Sequence, residues 1–333
     1  MTLPTGEVLI LSQSDMKELL NMKEVISAVE EAFKLKTQRK TIQPLKTVIH
    51  YSEGGKYRVT SLPCYIENKG AGLKWISNNR DNRGRGLPTL TGIMVLNDDE
   101  TTIPISIMDA TWMTAMRTAG HAAAAAKYLA KKDSSSIAII GCGVEGRTHL
   151  MAMNELFRIQ EVRVYDKYSN VSKKYAEDVE NKLNIKVQIM EKASSAVKDV
   201  DIVCMTTTAT KPVVMSHEIG SGCFIAGTAQ FRDLDPNSSK EADKWVVGDI
   251  ESDFMYLNKS QKIMKLSKED IYGELGEIII GIKPGRETDK EKILFSHAGM
   301  GSLDILTGLI AYNKAKEKNI GLRVNLFEIS KKR

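Results

Sequence analysis

The stretch Ser136-Ile137-Ala138-Ile139-Ile140-Gly141-Cys142-Gly143-Val144-Glu145-Gly146-Arg147-Thr148 decides the fold. Its largely apolar start reads as a buried strand, and Gly141, Gly143 and Gly146 stand in G-x-G-x-x-G spacing where a helix should open. Gly141 makes the tight turn, Gly143 leaves room for a pyrophosphate against the backbone, and Gly146 lets helix and strand pack closely. The helix start, with Val144 and Glu145 in its first turn, offers N–H groups and the positive end of a dipole to phosphates. Asp166 follows the apolar run Val162–Tyr165, twenty residues after Gly146. A carboxylate there accepts both ribose hydroxyls and repels a 2′-phosphate, so NAD is expected rather than NADP; Lys167 beside it softens that preference. Thr206, Thr207 and Thr208 follow the run Ile202–Met205, at the strand end that faces a ligand in a parallel sheet. They are expected to line the adenosine or nicotinamide side. Arg147 and Thr148 are candidates either for phosphate contact or for a solvated face.

Outward from this stretch, strand and helix patterns alternate. A charged helix spans about Asn170 to Leu183, then come Val187–Met190, a helix near Ala193–Lys198, and apolar runs at Phe224–Gly227 and Trp245–Val247. That alternation predicts a doubly wound parallel sheet. The chain before it reads differently. Val8–Leu11 is a strand, Ser12 or Ser14 caps a short helix favoured by Asp15, and Val25, Ile26, Val29, Ala32 and Phe33 mark a helix over Met22–Leu35. Thr47–Tyr51, Tyr57–Leu62, Ala71–Ile76, Gly92–Asn97 and Ile103–Met108 are short strand-like runs. Turn residues separate them: Glu53-Gly54-Gly55, Asn68-Lys69-Gly70, Arg83-Gly84-Arg85-Gly86 and Asn97-Asp98-Asp99. They predict an antiparallel sheet or part of a barrel. An alanine-rich helix covers Ala110–Lys131, and Leu303–Lys318 is an apolar helix expected to pack back onto the front. The expected class is α/β. A Rossmann dinucleotide-binding domain over 131–302 joins an α+β substrate and dimerisation domain built from 1–130 and 303–333.

Composition agrees. A chain of 333 residues with 42% hydrophobic residues suits about two folded domains and excludes a disordered chain. The 47 Lys+Arg and 42 Asp+Glu leave +5, interleaved along the chain, with short basic stretches at Lys131-Lys132 and Lys331-Lys332-Arg333. No concentrated basic face suggests a nucleic-acid partner. Cys64, Cys142, Cys204 and Cys223 form no CxxC pair; the last three sit in apolar runs and suit a reducing cytosol. The start of the chain lacks a signal-peptide pattern, and no run approaches a membrane span, so a soluble cytoplasmic protein is expected. The five histidines show no metal-ligand spacing, so no metal is expected.

The substrate side needs polar groups, and Lys46, Arg58, Lys74 and Arg117 are the basic candidates. Lys74 stands between Leu73 and Trp75 in an apolar strand. It either faces a cleft, as a carboxylate contact or acid/base, or snorkels to solvent. Arg117 lies in the otherwise uncharged stretch Met113–Ala126. A buried arginine needs an anion, which is either a bidentate substrate carboxylate or a structural ion pair. Arg58 and Thr60, two apart on a strand, share a face. Thr118, next to Arg117, is taken with the cofactor-binding residues. His121, in the alanine-rich helix, reads as a packed histidine.

Together these segments resemble the ornithine cyclodeaminase/mu-crystallin family. The resemblance is carried by Gln43-Pro44-Leu45-Lys46, Leu62-Pro63, Gly72-Leu73-Lys74-Trp75, Gly86-Leu87-Pro88-Thr89, Pro104–Ala110 and Met116-Arg117-Thr118-Ala119. The Gly141–Gly146 loop, Gly273-Glu274-Leu275-Gly276-Glu277 and Pro284-Gly285-Arg286-Glu287 complete it. It implies a homodimer joined through the N-terminal sheets and NAD(P) in a Rossmann domain. It also implies that Lys74 and Arg117 hold an amino-acid carboxylate or act in catalysis, with Lys46 a further basic residue of the pocket. The chain departs from the cyclodeaminases of that family and from the similar archaeal alanine dehydrogenases, which carry an aspartate shortly after a late Rossmann strand. Here the segment reads Thr228-Ala229-Gln230-Phe231-Arg232-Asp233, and Asp233 comes a few residues late. Arg58–Pro63 and Pro284–Glu287 resemble the N-(2-amino-2-carboxyethyl)-glutamate dehydrogenase subfamily, while Met22–Phe33 and Met108–Thr118 resemble archaeal alanine dehydrogenases. The expected activity is therefore NAD-dependent hydride transfer at the C–N bond of an α-amino acid or its imine. The alternatives are ornithine cyclodeamination to proline and ammonia, and mu-crystallin-like NAD(P)-dependent binding of a small ligand.

Overall fold

In a computed structural model, residues 6–51, 57–227, 232–235, 237–260 and 267–328 are described, with backbone alone at 256–260. The turn Glu53-Gly54-Gly55, the segment Thr228–Phe231 and the tail Lys331-Lys332-Arg333 lie outside the described residues. The chain falls into two units. One runs to Arg117 and resumes at Met300; the other is Thr118–Gly299.

The first unit opens with β1 (Glu7–Leu11), α1 (Gln13–Leu19) and α2 (Met22–Thr37). Ser12 and Asp15 cap α1 reciprocally, the Ser12 amide donating to Asp15 Oδ2 at 2.8 Å. Asn21 caps α2, which buries Val25, Ile26, Val29 and Phe33 on one face, as their spacing requires. Then follow β2 (Thr41–Ile42), β3 (Thr47–His50), β4 (Tyr57–Ile66), β5 (Gly70–Asn79), β6 (Leu90–Asn97), β7 (Pro104–Asp109) and α3 (Thr111–Leu129). The division between the units falls inside α3. On its far side Ala122–Ala126 are fully buried, small enough for close backbone packing.

The second unit continues with β8 (Ser136–Ile140), α4 (Val144–Asn154), β9 (Glu161–Tyr165), α5 (Ser169–Leu183), β10 (Val187–Ile189), α6 (Ala193–Val197) and β11 (Ile202–Met205). It is completed by β12 (Phe224–Gly227), α7 (Ser238–Glu241), β13 (Lys244–Val247), α8 (Ile250–Ser260), β14 (Gly273–Glu274), α9 (Leu275–Ile279) and β15 (Ile293–Ser296). The chain returns to the first unit with α10 (Gly301–Lys318) and β16 (Leu322–Asn325).

The first unit's sheet runs β16-β1-β7-β6-β5-β4-β2, with β3 also on β4. It has two ends and so is an open sheet, not a barrel, antiparallel except between β1 and β7. Leu62 pairs with Lys74, Lys74 with Met94 and Met94 with Met108, so these side chains share one face. Helix α10 packs on β4, β5 and β6, and on α2, as expected of the tail helix. The second unit's sheet is wholly parallel, in the order β10-β9-β8-β11-β12-β15-β13-β14. From β8 the chain winds outward through β9 and β10, then crosses back to β11 and β12. The order therefore reverses between β8 and β11, the kind of switch point at whose carboxyl strand ends open α/β sheets take their ligands. Val203, Met205, Ile225, Trp245 and Leu294 fill the core around these strands, and the Trp245 indole N–H donates to Ser296 Oγ at 3.0 Å. Among the described residues no helix is long and apolar enough to cross a membrane.

Candidate functional site

At the switch point of the parallel sheet, Gly141 has φ 103°, a conformation that other residues adopt only with strain. A Cβ there would lie 2.8 Å from the Thr206 carbonyl oxygen. Gly143 is the N-cap of α4 and supplies no side-chain acceptor to the first-turn amides. Nothing lies within 4 Å of where its Cβ would stand, the open space that a pyrophosphate on the backbone requires. At Gly146 a Cβ would be 2.3 Å from the Gly141 carbonyl oxygen and 2.9 Å from Ile139 Cγ2, so close packing excludes it. Asp166 stands just past β9. Its Oδ2 accepts the Cys142 amide at 2.9 Å and its Oδ1 the Tyr168 amide at 2.9 Å. The carboxylate is therefore fixed relative to the glycine loop. Val144 is largely exposed on the first turn, beside Glu145, and Lys167 is exposed with its ammonium 5.8 Å from the Tyr168 ring centre.

The threonines at the end of β11 are tied inward. Thr206 Oγ1 donates to the Gly141 carbonyl at 2.8 Å, and Thr207 Oγ1 donates to Asp233 Oδ2 at 2.9 Å while accepting the Ala209 amide at 3.0 Å. Both hydroxyls thus shape the loop edge. Asp233 is fully buried, and burial pushes its carboxyl up despite the Thr207 bonds. Arg147 is committed to protein groups: it bonds Asp178 at 2.9 Å and stacks 5.0 Å from the Tyr175 ring centre. Thr148 Oγ1 donates to the Glu145 carbonyl at 3.1 Å. Thr148 is thus buried rather than on a solvated face, while Arg147 stays partly exposed beside the glycine loop. Thr118 is buried on α3. Burial pushes the Cys64, Cys142 and Cys223 thiols up to about 12 and Cys204 further, so all four are inert packing residues.

At the same carboxyl edge stands a pair that sequence spacing does not reveal. His297 follows β15, and its Nδ1 lies 3.0 Å from Asp253 Oδ2. Asp253 also accepts the amides of Gly248, Asp249 and Ala298. Burial would raise its carboxyl, but His297 and these amides hold it below the usual range. Among the described residues no group of three or more His, Cys, Asp or Glu is arranged to hold a metal ion.

The first unit holds a second constellation. Lys74 on β5 is 1% exposed, and its Nζ donates to Asp304 Oδ1 at 2.7 Å. Arg117 on α3 is buried too, and its Nε donates to the same oxygen at 3.0 Å. Lys74 therefore does not snorkel, and Arg117 has its anion within the protein. Using Nε leaves the Nη1/Nη2 edge of the guanidinium for a second carboxylate. Asp304 belongs to the first turns of α10 and is 1% exposed. Its one signal in the sequence is a carboxylate inside the apolar run Leu303–Leu306. Arg58 and Thr60 lie on β4 at the same parity as Leu62, so they share the Lys74 face of the sheet. Lys46 immediately precedes β3. Gln43 is drawn to the start of α10, where its Oε1 accepts the Ser302 amide at 3.4 Å.

With this geometry in place, comparison with known proteins is decisive at the family level. The ornithine cyclodeaminase/mu-crystallin family model matches residues 7–319. Alanine dehydrogenase of Archaeoglobus fulgidus is 34% identical over 97% of this chain and 100% of its own. N-((2S)-2-amino-2-carboxyethyl)-L-glutamate dehydrogenase of Staphylococcus aureus is 33% identical over 96% of this chain and 99% of its own. Among solved structures, Thermococcus litoralis Δ1-pyrroline-2-carboxylate reductase with NADH and L-proline superposes with TM-score 0.89 at 36% identity, covering 95% of this chain and 100% of that one. An archaeal alanine dehydrogenase dimer with bound NAD gives TM-score 0.90 at 33% identity, covering 96% and 100%. The chain belongs to the ornithine cyclodeaminase/mu-crystallin family.

Proposed function

We infer that this member of the ornithine cyclodeaminase/mu-crystallin family is an NAD-dependent oxidoreductase acting on the C–N bond of an α-amino acid or its imine. The buried Lys74–Asp304–Arg117 cluster carries this inference: two cations held at 2.7 and 3.0 Å from one carboxylate oxygen, where a substrate carboxylate would meet desolvated positive charge. Arg117 takes that carboxylate through its Nη edge. Lys74 orients the substrate and supplies the ammonium that polarises an imine or a water. Lys46, Arg58 and Thr60 are further substrate contacts; the face that Arg58 and Thr60 share with Lys74 supports this. The relatives' activities on alanine, on a pyrroline carboxylate and on an N-substituted glutamate favour the same chemistry.

The open space at Gly143 and the anchored Asp166 fit a dinucleotide. Gly141, Gly143, Val144, Glu145 and Gly146 would hold its pyrophosphate and Asp166 its ribose, with Lys167, Thr118, Thr206 and Thr207 around them. When bound, the nicotinamide supplies the hydride donor or acceptor for the substrate α-carbon. NAD is favoured over NADP because the Asp166 carboxylate repels a 2′-phosphate.

The proposal extends to a homodimer. The sheet face opposite Lys74 exposes Ile42, Ile49, Tyr65, Trp75 and Ile93, an apolar surface of the kind that a second copy covers. The archaeal alanine dehydrogenase dimer supports it. Light scattering should give twice the chain mass; a monomer would remove this part. A cytoplasmic location, with a small carboxylate-bearing amino or imino acid as substrate and no nucleic acid or membrane as partner, belongs to the same proposal. The four cysteines, free and buried, suit it.

The experiment is a cofactor-absorbance assay with a panel of alanine, proline, ornithine, lysine and N-substituted glutamates, and with the corresponding imines in reverse. Ammonia and proline are followed alongside. Net NADH formation or consumption with one substrate class is expected. Ammonia and proline from ornithine without net NADH would mean a cyclodeaminase. Tight ligand binding without turnover would mean a binding protein.

A further inference from the structure

Asp304 carries both cations on one oxygen. Oδ1 accepts Lys74 Nζ at 2.7 Å and Arg117 Nε at 3.0 Å, whereas Oδ2 is buried with no hydrogen-bond partner among the described residues. A buried carboxylate oxygen without a donor is costly, so it calls for a ligand group. Further orphaned polar atoms lie on the same helices, among them one near Asp304 and one near Arg117. Ser302 Oγ is two residues before Asp304 on α10. Thr114 Oγ1 is three before Arg117 on α3, on the same helix face. The order of charge through the cluster is cation, anion, cation.

We propose that Asp304 Oδ2 recognises the protonated nitrogen of the substrate, ammonium or iminium, and so makes the site selective for zwitterions over plain carboxylates. This rests on the function inferred above, in which Lys74 and Arg117 hold the substrate carboxylate. An α-amino acid carries its negative and positive groups on adjacent carbons' substituents, in the spacing that a neighbouring cation and anion complement. A ligand with the carboxylate and no N–H leaves Oδ2 unpaired. Asp304 is thereby a specificity-determining group as well as the anchor of two cations.

The test is calorimetric binding to the NADH-loaded enzyme of two matched pairs: L-alanine against propionate, and L-proline against tetrahydrofuran-2-carboxylate. The wild type is expected to bind the nitrogen-bearing member of at least one pair about tenfold tighter or more. Asp304→Asn should abolish that preference by weakening the amino acid, while the plain carboxylate binds as well as before or better, since two cations then lack their counter-ion. If Asp304→Asn weakens both members of a pair by the same factor, Asp304 only positions Lys74 and Arg117, and the proposal fails. The wild-type comparison stands even if the variant does not fold: equal affinity within both pairs overturns the proposal. If none of the four binds, the substrate found in the panel assay and its analogue with oxygen in place of N–H make the deciding pair; an enzyme that binds no amino or imino acid of the panel ends the inferred function and the proposal with it.

Discussion

The three glycines of the loop after β8 should respond differently to the same added methyl group, and the structure supplies the magnitudes. At Gly146 a Cβ meets the Gly141 carbonyl oxygen at 2.3 Å and Ile139 Cγ2 at 2.9 Å, neither of them a flexible side-chain end. Overpacking of this kind costs about 1–3 kcal/mol, which lowers Tm by about 2–12 °C for a domain of this size. At Gly141 the Cβ meets the Thr206 carbonyl at 2.8 Å, and φ is 103°, so strain adds to contact. Gly143 differs. Its φ is −77°, and nothing lies within 4 Å of a Cβ. Gly143→Ala should keep Tm, or raise stability by about 0.4–1 kcal/mol through a less free unfolded chain. The methyl group occupies the space assigned to the pyrophosphate. Losing one charge-assisted amide bond to phosphate is worth about 1.5–3 kcal/mol, or roughly 10- to 150-fold in NADH affinity. Thermal unfolding and NADH fluorescence titration on Gly143→Ala and Gly146→Ala make the comparison. Wild-type NADH affinity in Gly143→Ala, or an equal loss of Tm in both variants, would refute the assignment.

Other consequences are open to simple measurements. Burial holds His149 at about 4, below its ordinary 6.5, although its bond to the Glu145 carbonyl pulls the other way. Its folded value is depressed, so its contribution is full above pH 6.5 and fades as pH falls toward 4, by about 3 kcal/mol in all. In His149→Gln, urea midpoints should lose that part of the slope, and the gap to wild type should narrow across the same window. Asp166→Ser should raise the kcat/KM ratio of NADPH to NADH by about tenfold or more, since like-charge repulsion at the ribose disappears; an unchanged ratio would dissociate Asp166 from the cofactor. Arg117→Ala should weaken substrate binding by about 2–4 kcal/mol, because it removes a charged partner and leaves Asp304 with Lys74 alone. Wild-type kcat/KM in that variant would remove Arg117 from the site.

How far the sequence could be read depended on how local the signal was. The β8–glycine–α4 unit was legible because turn, close approach and helix start are each dictated by neighbours in sequence. Helices α1 and α2 were legible from a capping residue and a 3.6-residue apolar spacing. The two-residue strands β2 and β14, and β16 with its exposed Leu322, carry no such signal; β16 is a strand because β1 offers it an edge. Strand β5 runs on through Ser77, Asn78 and Asn79 because β4 and β6 pair with these polar residues. Among the site residues, Lys74 and Arg117 stood out as charges in apolar surroundings. Their common partner Asp304 did not, because it lies 230 and 187 residues away along the chain. The commitments of Arg147 to Asp178 and of Thr207 to Asp233 are likewise set by tertiary neighbours that no local spacing encodes.

The central claim is that hydride passes between a nicotinamide and the α-carbon of an amino acid. Following deuterium tests it most directly. The enzyme is incubated with NADH deuterated at the transferring position and an imine, either Δ1-pyrroline-2-carboxylate or that formed from pyruvate and ammonia, and the amino acid produced is analysed by mass spectrometry. The account predicts one deuterium at the α-carbon for each NADH consumed. An amino acid formed without deuterium, or no NADH consumed with any α-imino acid, would contradict it.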